Sequence, residues 1–201
     1  MREHIKILLA THNLGKANEI KKMLPDLPLQ IFTLADLVTC PPVEETGSTF
    51  LENALLKAQA AALFSEYPVL ADDSGLEVDA LGGQPGVYSA RFAGEASSDL
   101  VNNLKLLELL KDVPPEKRGA RFKCALVLIT PRGKIYSVEG ICPGVILKEL
   151  KGSGGFGYDP LFYIPQLKKT MAELSVEEKN KISHRGQAWR KMIPYITEVI
   201  S

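Results

Sequence analysis

The segment TFLENALLKAQAAALFSE, Thr49 to Glu66, leaves its backbone one option. Thr49 and Glu52 form a Thr-x-x-Glu capping box, and the alanine-rich run behind them has high helix propensity and no breaker. Around this helix lie apolar runs too short to be helices themselves. HIKILLAT (4–11), LQIFTL (29–34) and YPVLAD (67–72) read as strands, the first being continuous and rich in Ile and Leu, as a buried strand is. Between the first two, NLGKANEIKKML (13–24) places Leu14, Ala17, Ile20 and Leu24 at helical spacing until Pro25 stops it. Strand and helix therefore alternate. Further along, SSDLVNNLKLLELLKDV (97–113) is an amphipathic helix closed by Pro114 and Pro115. ARFKCALVLIT (120–130) and KIYSVEGIC (134–142) are two strands joined by the turn PRG. A glycine loop, KGSGGFGYDPLFYIP, leads into a short strand. SVEEKNKISHRGQAWRKMIPYITEVI forms one or two helices, with a Ser175/Glu178 capping box and a turn or kink at Pro194. Alternation followed by a hairpin predicts an α/β protein, a mixed sheet covered by helices. The 201 residues suit one domain, at most bilobal, without repeat or linker.

Charge narrows the partners. Basic and acidic residues balance at 24 each, so no overall field draws the chain to nucleic acid or membrane, and any phosphate must be met by local groups. Cys40, Cys124 and Cys142 are odd in number and lack C-x-x-C spacing, which fits a reducing cytoplasm better than a disulfide framework or a zinc site. The apolar run near Met1 is too short for a signal peptide or a membrane span. A cytoplasmic protein is expected.

Two aspartates, Asp72 and Asp73, follow the apolar run ending at Ala71, at what reads as a strand end before a series of turns. Adjacent carboxylates repel and resist burial, so they are either solvated loop residues or ligands of a cation. Glu44 and Glu45 sit in a separate acidic loop, and Glu45 with the pair would give the carboxylate-rich oxygen shell that Mg²⁺ prefers. Asn53 and Lys57 share a helix face at i, i+4; Lys57 is a snorkelling lysine or a phosphate contact. In ATHNLGK, Lys16 stands where a helix begins, either beside free N–H groups that favour an anion or as a solvated lysine behind a plain N-cap. Lys179, His184 and Arg185 are a solvated face or a set of donors. Phe156 and Tyr158 are core aromatics or a platform for a planar base. GSGGFG fits G-x-G-x-x-G, but Pro160 and LFYI follow where a Rossmann helix should be, so a dinucleotide site is not expected. No P-loop is present, and His4, His12 and His184 have no metal-ligand spacing.

Taken together and in order, ATHNLGKANEI, EETGSTFLENALLKA, LADDSGLEVDALGGQPGVYSARFAG, GSGGFGYDPLF and AELSVEEKNKISHRGQA resemble the inosine/xanthosine triphosphate pyrophosphatase family from about Ile5 to Ala188. The resemblance implies an elongated mixed-sheet α/β fold with two lobes around a cleft, a homodimer, and dependence on Mg²⁺. It implies hydrolysis of ITP, dITP and XTP to monophosphate and pyrophosphate. Asp73 would be the general base and, with Asp72 and Glu45, a metal ligand. Ser74 would contact substrate, as would Thr11, His12, Asn13, Leu14, Gly15 and Lys16 through its phosphates. Phe156, Gly157, Tyr158, Asp159, Lys179, His184 and Arg185 would line the nucleoside pocket, and Lys57 would add charge beside the phosphates. A catalytically silent nucleotide-binding module is the other reading; an intact Asp73, Glu45 and Lys16 favour the enzyme, since binding alone needs no base.

Overall fold

The computed structural model describes residues 5–11, 20, 29–34, 41 and 43–200. The strands are β1 (Ile5–Leu9), β2 (Leu29–Thr33), β3 (Val69–Val78), β4 (Gly119–Ile129), β5 (Ile135–Ile146), β6 (Phe162–Ile164) and β7 (Lys169–Thr170). Among the described residues they form one seven-stranded sheet in the order β2-β1-β3-β4-β5-β6-β7. The flanking helices are α1 (Phe50–Ala62), α2 (Asp99–Leu109), α3 (Val176–Ile182) and α4 (His184–Ile200). The mixed sheet and its helices are the α/β class expected from the alternation. The helix expected over 13–24 lies outside the described residues, apart from the buried Ile20.

The chain divides into two compact units. Unit 1 comprises Met1–Asp73, Ala125–Glu139 and Ala188–Ser201; unit 2 comprises Ser74–Cys124 and Gly140–Gln187. In unit 1, β1 pairs in parallel with β2, Ile5 opposite Leu29, and with β3, Leu8 opposite Val69. Parallel pairs need crossover connections, and α1 lies in the one between β2 and β3. Thr49 accepts from the Glu52 N–H and the Glu52 carboxylate accepts from the Thr49 N–H, which is the capping box read in the sequence. The buried stripe of α1 is Phe50, Asn53, Ala54, Ala58 and Ala61. One polar residue, Asn53, is fully buried in it. The hairpin of β4 and β5 closes where the Thr130 N–H donates to the Lys134 carbonyl, 2.9 Å.

Unit 2 has its own core, including Leu76, Val78, Leu106, Leu110, Phe122, Phe162 and Met171. Its strands β5, β6 and β7 pair antiparallel, Ile146 opposite Phe162 and Tyr163 opposite Thr170. Buried Arg118 donates to the carbonyls of Leu110, Val113 and Leu147, which caps the end of α2 with a guanidinium.

Two local expectations change. The strand expected to end at Asp72 continues through Asp73, Ser74 and Gly75 to Val78. Its ladder neighbour β4 runs alongside, and sheet pairing overrides the local turn tendency of Ser-Gly. At Pro194, where a turn or kink was expected, the helix α4 continues; proline has no N–H to offer the Arg190 carbonyl, and Arg190 is exposed. The short strand β7 had no sequence signal of its own, being two residues long.

Candidate functional site

In unit 1 an ammonium sits between carboxylates. Lys57 Nζ lies 2.9 Å from Glu45 Oε1 and 3.1 Å from Asp73 Oδ1. Asp73 Oδ2 accepts from Asn53 Nδ2 at 3.3 Å, and Asn53 Oδ1 accepts from the Gly47 N–H at 2.7 Å. That second bond fixes which way the Asn53 amide faces, so its NH₂ is turned to Asp73. Asn53 and Lys57, one turn apart on α1, thus address the two oxygens of one carboxylate. Burial works against the Lys57 charge, yet Asp73, Asp72 and Glu45 outweigh it and hold its pKa above the ordinary lysine range.

Asp72 is buried as deeply as its neighbour, 1% exposed against 6%. Both lie inside β3, and the charge of Asp72 acts on Lys57 together with those of Asp73 and Glu45. Among the described residues no three His, Cys, Asp or Glu side chains converge as a ready-made metal cage. The donor set still suits a hard divalent cation: Glu45 and Asp73 offer oxygens only, and they already close on one positive charge.

In unit 2 the balance of charge is reversed. Lys179 Nζ is 2.6 Å from Asp159 Oδ2 and 4.8 Å from the Phe156 ring centre. The Arg185 guanidinium lies 5.5 Å from the same ring and donates from Nη2 to Ser74 Oγ at 3.0 Å. Asp159 Oδ2 also accepts from the Phe156 N–H, 3.0 Å. Lys179, Arg185 and Asp159 are all buried, whereas Phe156 keeps a partly open ring. Gly155 has φ +73°, and a Cβ there would strike the Asp159 carboxylate, so this loop position requires glycine.

Of the residues singled out in the sequence, Glu45, Lys57 and Asp73 come together in unit 1, and Ser74, Phe156, Asp159, Lys179 and Arg185 in unit 2. Tyr158 is 4% exposed and belongs to the apolar core; its hydroxyl donates to the Ser89 carbonyl at 2.9 Å, and burial, with the charge of Asp99, pushes its pKa well up. Buried His184 stacks on Phe122, 4.8 Å between ring centres and 17° apart in plane. Thr11 follows β1 and donates its N–H to the Leu9 carbonyl. His12, Asn13, Leu14, Gly15 and Lys16 lie outside the described residues. Asn53 was visible in the sequence only as the helical partner of Lys57; its hold on Asp73 had no further signal.

The chain matches the family model described as the Ham1 family over residues 7–195. It is 53% identical to the dITP/XTP pyrophosphatase of Desulforamulus reducens over 195 residues, 97% of each chain. To the dITP/XTP pyrophosphatase of Exiguobacterium sibiricum it is 55% identical over 193 residues, 96% of this chain and 98% of the relative. A HAM1 protein from Coxiella burnetii superposes with a TM-score of 0.88 at 41% identity, covering 96% of this chain and 99% of the other.

Proposed function

The chain belongs to the Ham1 family, and from that premise we propose that it hydrolyses deaminated purine nucleoside triphosphates (ITP, dITP and XTP) to the monophosphate and pyrophosphate. The observation that carries the reading is the Asp73 carboxylate, buried, oriented by Asn53 and Lys57, and facing a cation shared with Glu45. A binding module has no use for a carboxylate so deliberately aimed.

Asp73 accepts the proton of the water that attacks the α-phosphorus. The new bond joins that water oxygen to phosphorus, the bond to the bridging oxygen breaks, and pyrophosphate leaves with the electron pair. Glu45 and Asp73 would hold a divalent cation, Mg²⁺ in this reading, which when bound neutralises charge on the phosphate oxygens. Asp72 would help to fix or share that cation, and its field acts at Lys57. Lys57 is released from its carboxylates towards the phosphate chain, and Thr11 through Lys16 bind that chain as well. In unit 2, Phe156 stacks on the base while Lys179 and Arg185 offer donors to the C6 carbonyl, with Ser74, Gly157, Asp159 and His184 around them. The two units act as one bilobal domain, in a cytoplasmic homodimer with no nucleic-acid or membrane partner. Among the described residues no helix is long and apolar enough to cross a membrane.

The test is release of pyrophosphate from ITP, dITP and XTP, with ATP as the control and EDTA as the second arm. Pyrophosphate from the three deaminated nucleotides, little from ATP, and none in excess EDTA is expected. Orthophosphate as the product, or full turnover in EDTA, overturns the reading.

A further inference from the structure

The glycine loop that carries Phe156 is gripped from outside. The Gly157 N–H donates to Asp99 Oδ2 at 2.6 Å, and the Gly157 carbonyl accepts from Asn103 Nδ2 at 2.8 Å. Asp99 and Asn103 stand four apart on the first turns of α2, so one helix face holds both polar groups of a single residue. Asn103 Nδ2 also donates to the Asp99 carbonyl, 2.8 Å, which commits the NH₂ and fixes the orientation of the amide. Its Oδ1 is buried without a hydrogen-bond partner, in a side chain 2% exposed. An unpaired buried acceptor is costly, and an apolar residue of the same size would avoid it. The grip on Gly157 is what the asparagine supplies in return.

Gly157 has φ +63°, a left-handed turn placed directly after Phe156. On its other side the loop is tied by the Phe156 N–H to Asp159, itself paired with Lys179. The far end of α2 is anchored by Arg118 on the Leu110 carbonyl. The Gly157 peptide is therefore tied to a helix anchored at its far end, and is not held by the loop alone.

We infer that Asp99 and Asn103 are positioning residues for the nucleobase: by clamping the Gly157 peptide to α2 they hold Phe156 at the angle at which a purine stacks. The inference rests on the functional reading above. Stacking is indifferent to base identity, so loss of the clamp weakens every nucleotide alike and spares the chemical step.

The experiment compares Asn103→Leu, Asp99→Ala and Asp99→Asn with the wild type by steady-state kinetics on ITP and XTP, and by amide exchange over 156–159 without nucleotide. Asn103→Leu and Asp99→Ala should raise KM about tenfold, the worth of one hydrogen bond, with kcat within about twofold. Exchange over 156–159 should quicken in both. Asp99→Asn keeps an acceptor for the Gly157 N–H and should restore KM, whereas a role for the Asp99 charge would leave it as impaired as Asp99→Ala. Unchanged KM, unchanged exchange, or failure of Asp99→Asn to rescue overturns the inference. Should Asn103→Leu not fold, the exposed Asp99 carries the test alone. A wild type that leaves ITP intact overturns the functional reading instead, and the exchange data still decide whether the clamp exists.

Discussion

Around Lys57 three carboxylates answer one ammonium; around Phe156 two cations answer one carboxylate. Both clusters are largely buried, where a surplus of either sign is costly. On the proposed function, each surplus marks what its region receives. The cluster of unit 1 is completed by added positive charge, and that of unit 2 by an acceptor-rich, electron-dense group. The supports differ as well. Asp73 is fixed by side chains of a single capped helix, while Phe156 is held by α2, the glycine loop, α3 and the start of α4. One is a local device; the other is assembled from the whole unit.

The largest effect that would test this contrast is on Asp73. Asp73→Asn removes the proposed base and sets an NH₂ against either Lys57 or the Asn53 amide. Turnover on ITP should fall about 10²–10⁴-fold, with nucleotide binding by calorimetry retained; near-normal kcat would move catalysis elsewhere. Next is Lys57→Met, which leaves the carboxylates without their shared cation. Urea denaturation in EDTA should show a loss of about 3 kcal/mol, partly recovered with millimolar Mg²⁺ (the cation taking the ammonium's place); a loss indifferent to Mg²⁺ would break the proposed exchange of charges. In unit 2, Arg185→Ala should lower ITP and XTP activity about tenfold, as one polar contact is worth. Its ITP-to-ATP ratio should fall too, because a donor facing a carbonyl is what rejects an amino group. An equal loss on ITP and ATP would assign the arginine to the phosphates or the fold. The smallest effect concerns the sugar: ITP and dITP should give kcat/KM within a few-fold, since no residue in either cluster stands out as a reader of the 2′-hydroxyl. A hundredfold preference would show a contact missing from both.

Much of unit 1 could be read locally. The Thr49/Glu52 box, the alanine run and the Asn53–Lys57 spacing are written within one helix, and helical geometry alone turns them into a shared face. The carboxylates were visible as residue types, but not as buried members of one continuous strand. That required knowing that β3 runs on through Ser74 and Gly75, a fact decided by the strand beside it. Unit 2 was less legible for the same reason. Asn103 grips Gly157 54 residues away, and Arg185 reaches Ser74 across 111. No periodicity or motif connects such pairs. Tyr158 shows the limit plainly: two residues after Phe156 in a turn, an aromatic could face ligand or core, and its burial with the bond of its hydroxyl to Ser89 decides for the core.

The chain leaves unit 1 between Asp73 and Ser74, returns for residues 125–139, and returns again at Ala188. Synthesis from the N-terminus therefore completes the two units in the reverse of the order in which they begin. All of unit 2 has been made once Gln187 is added, whereas unit 1, started first, still lacks the stretch bearing Trp189, Met192 and Ile196, all of them buried. Until that stretch emerges from the ribosome, the apolar surface it covers has no native partner. A nascent chain arrested before Ala188 would hold all of unit 2 and an unfinished unit 1. By the same layout no single cut yields either unit intact, so neither half can be inherited, swapped or expressed as a module by simple truncation.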